Sequence, residues 1–167
     1  DLSEFLNVKI NWLIKNKKDE ILENFLDRNA EFDNKKKVIQ YLVDRNIANS
    51  NLKLGCEKAT YIGKEIKDSY LEKFKIYCLV LNKKNNQAQL LYDILKEQDQ
   101  SDKYFDEKIN FLLGVTDEVS NQIKDDTLLN FYLASVTVKD FKYEPTKKTK
   151  KSIWEYMDSA NLINIDN

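Results

Sequence analysis

Cys56 and Cys78 are the only two cysteines, and their spacing carries the most specific chemistry in this sequence. Two thiols can join as a disulfide when their Cα atoms come within about 5.5–6 Å. A helix expected from Leu52 to about Ile66 and a second one starting at Ser69 would turn near Lys67, with Cys56 and Cys78 equidistant from that turn. In an antiparallel hairpin such positions sit at equal height, about 16 Å from the turn at ~1.5 Å rise per residue. Ala59 and Gly63 share the face of Cys56, and small residues let helices approach closely. A Cys56–Cys78 disulfide is therefore expected. The other reading is two buried free thiols. The disulfide implies a periplasmic or secreted protein, and free thiols imply a cytoplasmic one.

The remaining candidates for chemistry are sparse. Histidine is absent, which excludes Ser-His-Asp and Cys-His catalysis and histidine metal sites. Two cysteines are too few for a structural zinc site. Carboxylates adjoin at Asp19-Glu20 and Asp125-Asp126. Glycoside hydrolysis needs two carboxylates facing each other across a cleft, whereas adjacent acids at a helix start answer the helix dipole. No glycine-rich phosphate loop is present. No catalytic residue, cofactor or metal is expected, and the chain is read as a non-enzyme.

Lys147, Lys148, Lys150 and Lys151 form the densest basic cluster and precede a short last helix bearing Trp154 and Tyr156. These residues are the candidates for docking a partner; a solvated linker and a core-closing Trp154 are the plainer alternatives. Lys35 to Lys37 is a second basic run. Neither run interleaves with aromatics as single-stranded nucleic-acid binders require, and the formal net charge of -1 lacks the basic excess of a nucleic-acid module. No nucleic-acid partner is expected. No apolar run approaches the ~18 residues of a membrane span, so no transmembrane segment is expected. The chain starts at Asp1 rather than Met, which suggests a processed product or an excised fragment.

The elements that would position these residues are helices. Gly occurs three times and Pro once, too few for the many turns of an all-β chain. Apolar residues recur at helical spacing in Leu2, Phe5, Leu6, Ile10, Leu13, Ile14; in Ile21, Leu22, Phe25, Leu26; and in Val38, Ile39, Leu42, Val43, Ile47. The pattern continues through Leu52 to Ile66, Tyr70 to Leu81, Ala88 to Leu95, Phe105 to Leu113, Leu128 to Val136 and Trp154 to Ala160. Asn34 is a candidate N-cap and Gly114 a C-terminal cap. Ser69 with Glu72, and Ser152 with Glu155, read as capping boxes. Leu91, Phe74, Leu112 and Leu133 are expected in the core. Residues 115–125 are the least regular interior stretch.

About nine short helices joined by polar turns predict an all-α fold. They are expected as antiparallel hairpins stacked side by side, α-solenoid-like, with an irregular helical bundle as the alternative. The expected division is a helical-hairpin stack over 1–138, a linker over 139–151 containing Pro145, and a C-terminal helix over 152–167.

Leu79 to Leu95 resembles one tetratricopeptide-type hairpin, through Ala88 and Tyr92 four residues on, after an Asn-rich turn. The Trp, Gly and Pro of that family's pattern are missing, and no period of ~34 residues appears. The overall run of short hairpins is also similar to the superhelical, non-catalytic region of soluble lytic murein transglycosylases. The chain contains no Glu-Ser pair of that family's catalytic domain, so this resemblance implies scaffolding alone. The expected function is a non-catalytic protein–protein interaction scaffold that holds a protein or peptide segment. The alternatives are an accessory domain of a larger cell-envelope enzyme and a small-molecule-binding helical domain.

Overall fold

Four helix starts in this chain are fixed by an acidic or hydroxyl side chain that accepts a free backbone N–H of the first turn. Asp1 accepts from Ser3 at the head of α1 (Leu2–Lys15), Asp68 from Leu71 at α5 (Ser69–Leu81), Asp102 from Phe105 at α7 (Lys103–Leu112), and Thr127 from Asn130 at α8 (Leu128–Thr137). The remaining helices are α2 (Asp19–Arg28), α3 (Lys35–Ala48), α4 (Leu52–Ala59), α6 (Asn85–Glu97) and α9 (Lys151–Ser159). The computed structural model describes residues 1–163, and the last residues of the expected 152–167 helix lie outside them. The protein is all-helical; no strand occurs among the described residues.

Helix ends explain how a chain with so little glycine turns so often. After α7, Gly114 (φ 76°) donates its N–H to Phe111, and Val115 donates to Asn110. This is the Schellman closure with glycine in the left-handed position. The same pair of bonds closes α1 at Lys17, α3 at Ser50, α5 at Lys83, α6 at Asp99 and α9 at Asn161, each with φ between 52° and 60°. Non-glycine residues thus occupy a conformation that costs about 1–2 kcal/mol for a side-chain-bearing residue. Of these six closures, only the one after α7 uses glycine.

The core forms around α3. Val38, Ile39, Leu42, Val43 and Ile47 are fully buried, and α3 packs against α1, α2, α4, α8 and α9. In a solenoid each unit touches only its sequence neighbours. Here α8 and α9 come back onto α3, near the start of the chain. That closure matches the irregular bundle rather than an open stack. It is locked by charge. Arg45 on α3 donates to Asp19 (3.0 Å) and to Glu155 of α9 (2.6 Å), and Lys17 also donates to Glu155 (3.1 Å). Burial alone would raise the Glu155 carboxyl, but these hydrogen bonds outweigh it and hold the group below its ordinary value.

Of the linker expected over 139–151, residues 139–150 carry no helix and lie across α8, while Lys151 opens α9. Phe141 and Tyr143 meet Phe131 edge-on at 5.5 and 4.8 Å, and Tyr143 donates to Asp125 (2.6 Å). The loop over 113–127 is pinned from beneath: the fully buried Lys108 donates to the carbonyls of Ser120 and Gln122 (2.9 and 3.1 Å).

Several local expectations are corrected. Asp68, not Ser69, caps α5. Helix α9 begins at Lys151 after Lys150, with no side-chain cap, so Ser152 and Glu155 form no capping box; Glu155 serves Arg45 and Lys17 instead. Asn34 occupies the N-cap position of α3 but gives its side chain to Asn7. Phe74 and Leu133 are fully buried, whereas Leu91 and Leu112 are only half-buried.

Candidate functional site

Cys56 and Cys78 are joined in a disulfide, with Cα atoms 5.6 Å apart. The hairpin that predicted the pairing is different in detail. Helix α4 ends at Ala59, well before Ile66, and 60–68 is irregular, with turns at 60–61 and 64–65. The close approach comes from Gly55 rather than Gly63. A Cβ on Gly55 would sit 3.2 Å from the Phe74 ring and 3.3 Å from Asn46, so α4 lies against both α5 and α3 there. A Cβ on Gly63 would meet only the nearby Glu65 side chain. An open cavity of about 520 Å³ flanks the disulfide, lined by Ala59, Leu79 and Leu81 and rimmed by Lys53, Lys75 and Lys84.

The C-terminal candidates separate. Tyr156 is 4% exposed, stacks edge-on against Tyr132 at 5.4 Å, and shares a 2.7 Å hydrogen bond with the Ser135 hydroxyl. It is a core residue and not a docking one. Trp154 lies on the outer side of α9 and is exposed. Lys147, Lys148, Lys150 and Lys151 are all exposed, and Lys150 donates to the backbone carbonyl of Asp126. Three of these four carboxylates hold structure: Asp19 accepts from Tyr41 and Arg45, Asp125 from Tyr143, and Asp126 from Asn130, while Glu20 is exposed. Among the described residues, no group of three or more His, Cys, Asp or Glu is placed to hold a metal, and no helix is long and apolar enough to cross a membrane.

A buried junction escaped the sequence reading. Asp44 on α3 accepts from the Tyr70 hydroxyl (2.5 Å), and that hydroxyl in turn accepts from the Leu129 N–H (3.1 Å), joining α3, α5 and α8. Burial pushes the Asp44 carboxyl up to about 6, against the lowering effect of Tyr70 and the nearby Lys150 charge. Burial also lifts the Tyr70 phenol well above its ordinary value. The cavity beside them, about 370 Å³, is lined by Gln40, Asp44, Tyr70, Thr127, Leu128, Lys150 and Ser152. The available signal was Gln40 and Asp44, one turn apart in α3, the helix around which the core forms.

The second omission is larger and lies on α1. Its apolar residues do not form one inward stripe. Ile10 and Leu13 are buried, and Leu6 and Ile14 pack against the core. Leu2, Phe5, Val8 and Trp12 face out, at 82, 66, 68 and 54% exposure. Ser3, Asn7 and Asn11, exposed on the flank of the buried face, tie α1 to the start of α3 and the turn before it. Ser3 donates to Asp33 (2.7 Å), Asn7 accepts from Asn34, and Asn11 accepts from Lys37 (2.5 Å). Those three positions follow the i, i+4, i+8 spacing of one helix face. A surface helix ordinarily turns polar residues to solvent on the side away from its buried stripe; on the side away from Ile10 and Leu13, α1 carries an apolar row instead. The signal was an apolar arc too wide for one face, with Val8 and Trp12 outside the stripe read from the sequence. The chain matches no protein-family model, no curated protein and no solved structure.

Proposed function

We propose that this protein is a non-catalytic protein–protein interaction scaffold and that it docks its partner on the outer face of α1. The observation that carries the reading is the row Leu2, Phe5, Val8 and Trp12, each at least 54% exposed on a helix held to the body by buried Ile10 and Leu13 and by the bonds of Ser3, Asn7 and Asn11. Contiguous apolar patches of several hundred Å² on a soluble chain mark binding surfaces, and Phe and Trp are the side chains that anchor them. The rest of the molecule serves as a rigid mount, closed by the Arg45–Glu155 pair and the Cys56–Cys78 bond. The disulfide favours an oxidising compartment, a periplasm or the cell exterior. Capture from the native host with this chain as bait tests the reading. The native chain should retain a partner that the Phe5→Asp/Trp12→Glu variant loses, while a Trp154→Ala variant keeps it. Equal capture by the native chain and the α1 variant would overturn it.

A further inference from the structure

We infer that the occupant of the α1 face is a second copy of this chain, docked antiparallel about a twofold axis near Val8; this rests on the interaction reading above. At 100° per residue, Leu2, Phe5, Val8 and Trp12 span an arc of about 120° on the helix and roughly 15 Å of its length. Asp1, Glu4 and Lys15 fall together along the Val8 edge of that arc, the acids at the N-terminal end and the lysine at the C-terminal end. All three are exposed. A twofold axis across antiparallel helices sets each edge against its own equivalent. Centred on Val8, it places Lys15 of one copy beside Asp1 and Glu4 of the other, twice, and Trp12 beside Phe5 of the other copy. The helix dipoles then also oppose. A parallel pairing would instead align the two helix dipoles. Lys9 falls inside the arc, between Phe5 and Leu2, and is exposed; in the pair its stem covers the apolar row while its ammonium extends past the rim to water.

The area is of the right order for a weak dimer. Four mostly exposed large side chains present on the order of 500 Å² per copy, and a polar rim brings the pair to about the low end of specific interfaces. A lipid surface fits less well: a helix that lies on anionic headgroups carries lysines along its polar edges, whereas this edge begins with two acids.

Sedimentation equilibrium of the full 167-residue chain tests the inference, with fold checked by circular dichroism. The native chain is expected to approach twice its 19.7 kDa mass with a micromolar Kd. Phe5→Asp/Trp12→Glu should remain monomeric. Glu4→Lys and Lys15→Glu, each acting at two symmetric places, should each weaken association by roughly tenfold, and the double charge swap should restore it. These two exposed positions keep the test sound if the apolar variant misfolds. A native chain monomeric at ~200 µM, or a double swap no better than the single ones, overturns the second copy. If a monomeric native chain still captures a partner that Phe5→Asp/Trp12→Glu loses, the inference alone falls. If neither association nor capture depends on Phe5 and Trp12, the interaction reading falls with it. A monomer that floats with phosphatidylglycerol vesicles through Phe5 and Trp12 overturns both in favour of a lipid surface.

Discussion

Breaking the Cys56–Cys78 bond should lower stability by an amount set by the loop it closes. The cysteines are 22 residues apart. In the chain-entropy relation, a loop of that length restricts the unfolded chain by about 11 cal/mol/K, or about 3 kcal/mol at 25 °C. For a chain of this size that corresponds to a fall in Tm of roughly 6–12 °C. The loop contains the end of α4, the irregular stretch over 60–68 and most of α5, so the reduced chain frees the element that carries Tyr70 and Phe74. The assay is urea unfolding followed by helical circular dichroism, with and without a phosphine reductant, on the native chain and on Cys56→Ala/Cys78→Ala. The native chain should lose stability on reduction. The variant should start lower and be indifferent to reductant. Two titratable thiols in denatured, non-reduced protein, or a reduction effect below ~0.5 kcal/mol, would refute the reasoning.

Asp44 makes stability depend on pH in an uncommon direction for a carboxylate. Its folded-state value of about 6 lies above the ordinary 3.8, so the folded chain holds that proton more tightly than the unfolded one. Its contribution is fully present below pH 3.8 and is lost as pH rises through 6, by up to about 3 kcal/mol at ~1.4 kcal/mol per unit. Asp44→Asn keeps an acceptor for Tyr70, should stabilise the protein at pH 8 and should flatten the pH 4–6 slope; an unchanged slope in urea titrations would contradict this. Lys83→Gly and Asp99→Gly should each raise the stability measured by urea unfolding, by about 0.5–1 kcal/mol, because both residues hold φ of 54–60° at a helix end. The two gains should add, and a loss at either site would count against the Schellman closure.

The apolar spacing of Val38 to Ile47 and of Leu128 to Val136 was enough to locate α3 and α8, because buried helices leave a periodic record in sequence. Ends were less legible. Tyr61, Ile62 and Ile66 continue the spacing of α4, yet Thr60 and Tyr61 bond back to Glu57 and Lys58 and the chain leaves the helix there. Periodicity cannot register where a backbone changes its hydrogen-bond partner. The disulfide was legible through its position, although Gly55 and not Gly63 provides the close approach. Asp44 was invisible because its environment comes from Tyr70 and Leu129, remote in sequence. Tyr156 looked available because only tertiary packing reveals Tyr132 and Ser135 around it. The α1 face was missed as well. Spacing alone cannot divide its apolar residues between two faces; the burial of Ile10 and Leu13 and the bonds of Ser3, Asn7 and Asn11 to residues 33–37 show which side of the helix is anchored.

Site-specific photo-cross-linking from Val8 tests the central claim most directly. A photo-reactive phenylalanine analogue replaces Val8, at the middle of the exposed row, or Asp117, exposed in the loop after α7. After irradiation in the native host, the Val8 position should yield a discrete protein adduct, of twice the chain mass if the partner is a second copy, and the Asp117 position should yield none. A Val8 position that cross-links to no protein, under conditions where the chain is folded and oxidised at Cys56 and Cys78, would contradict the account.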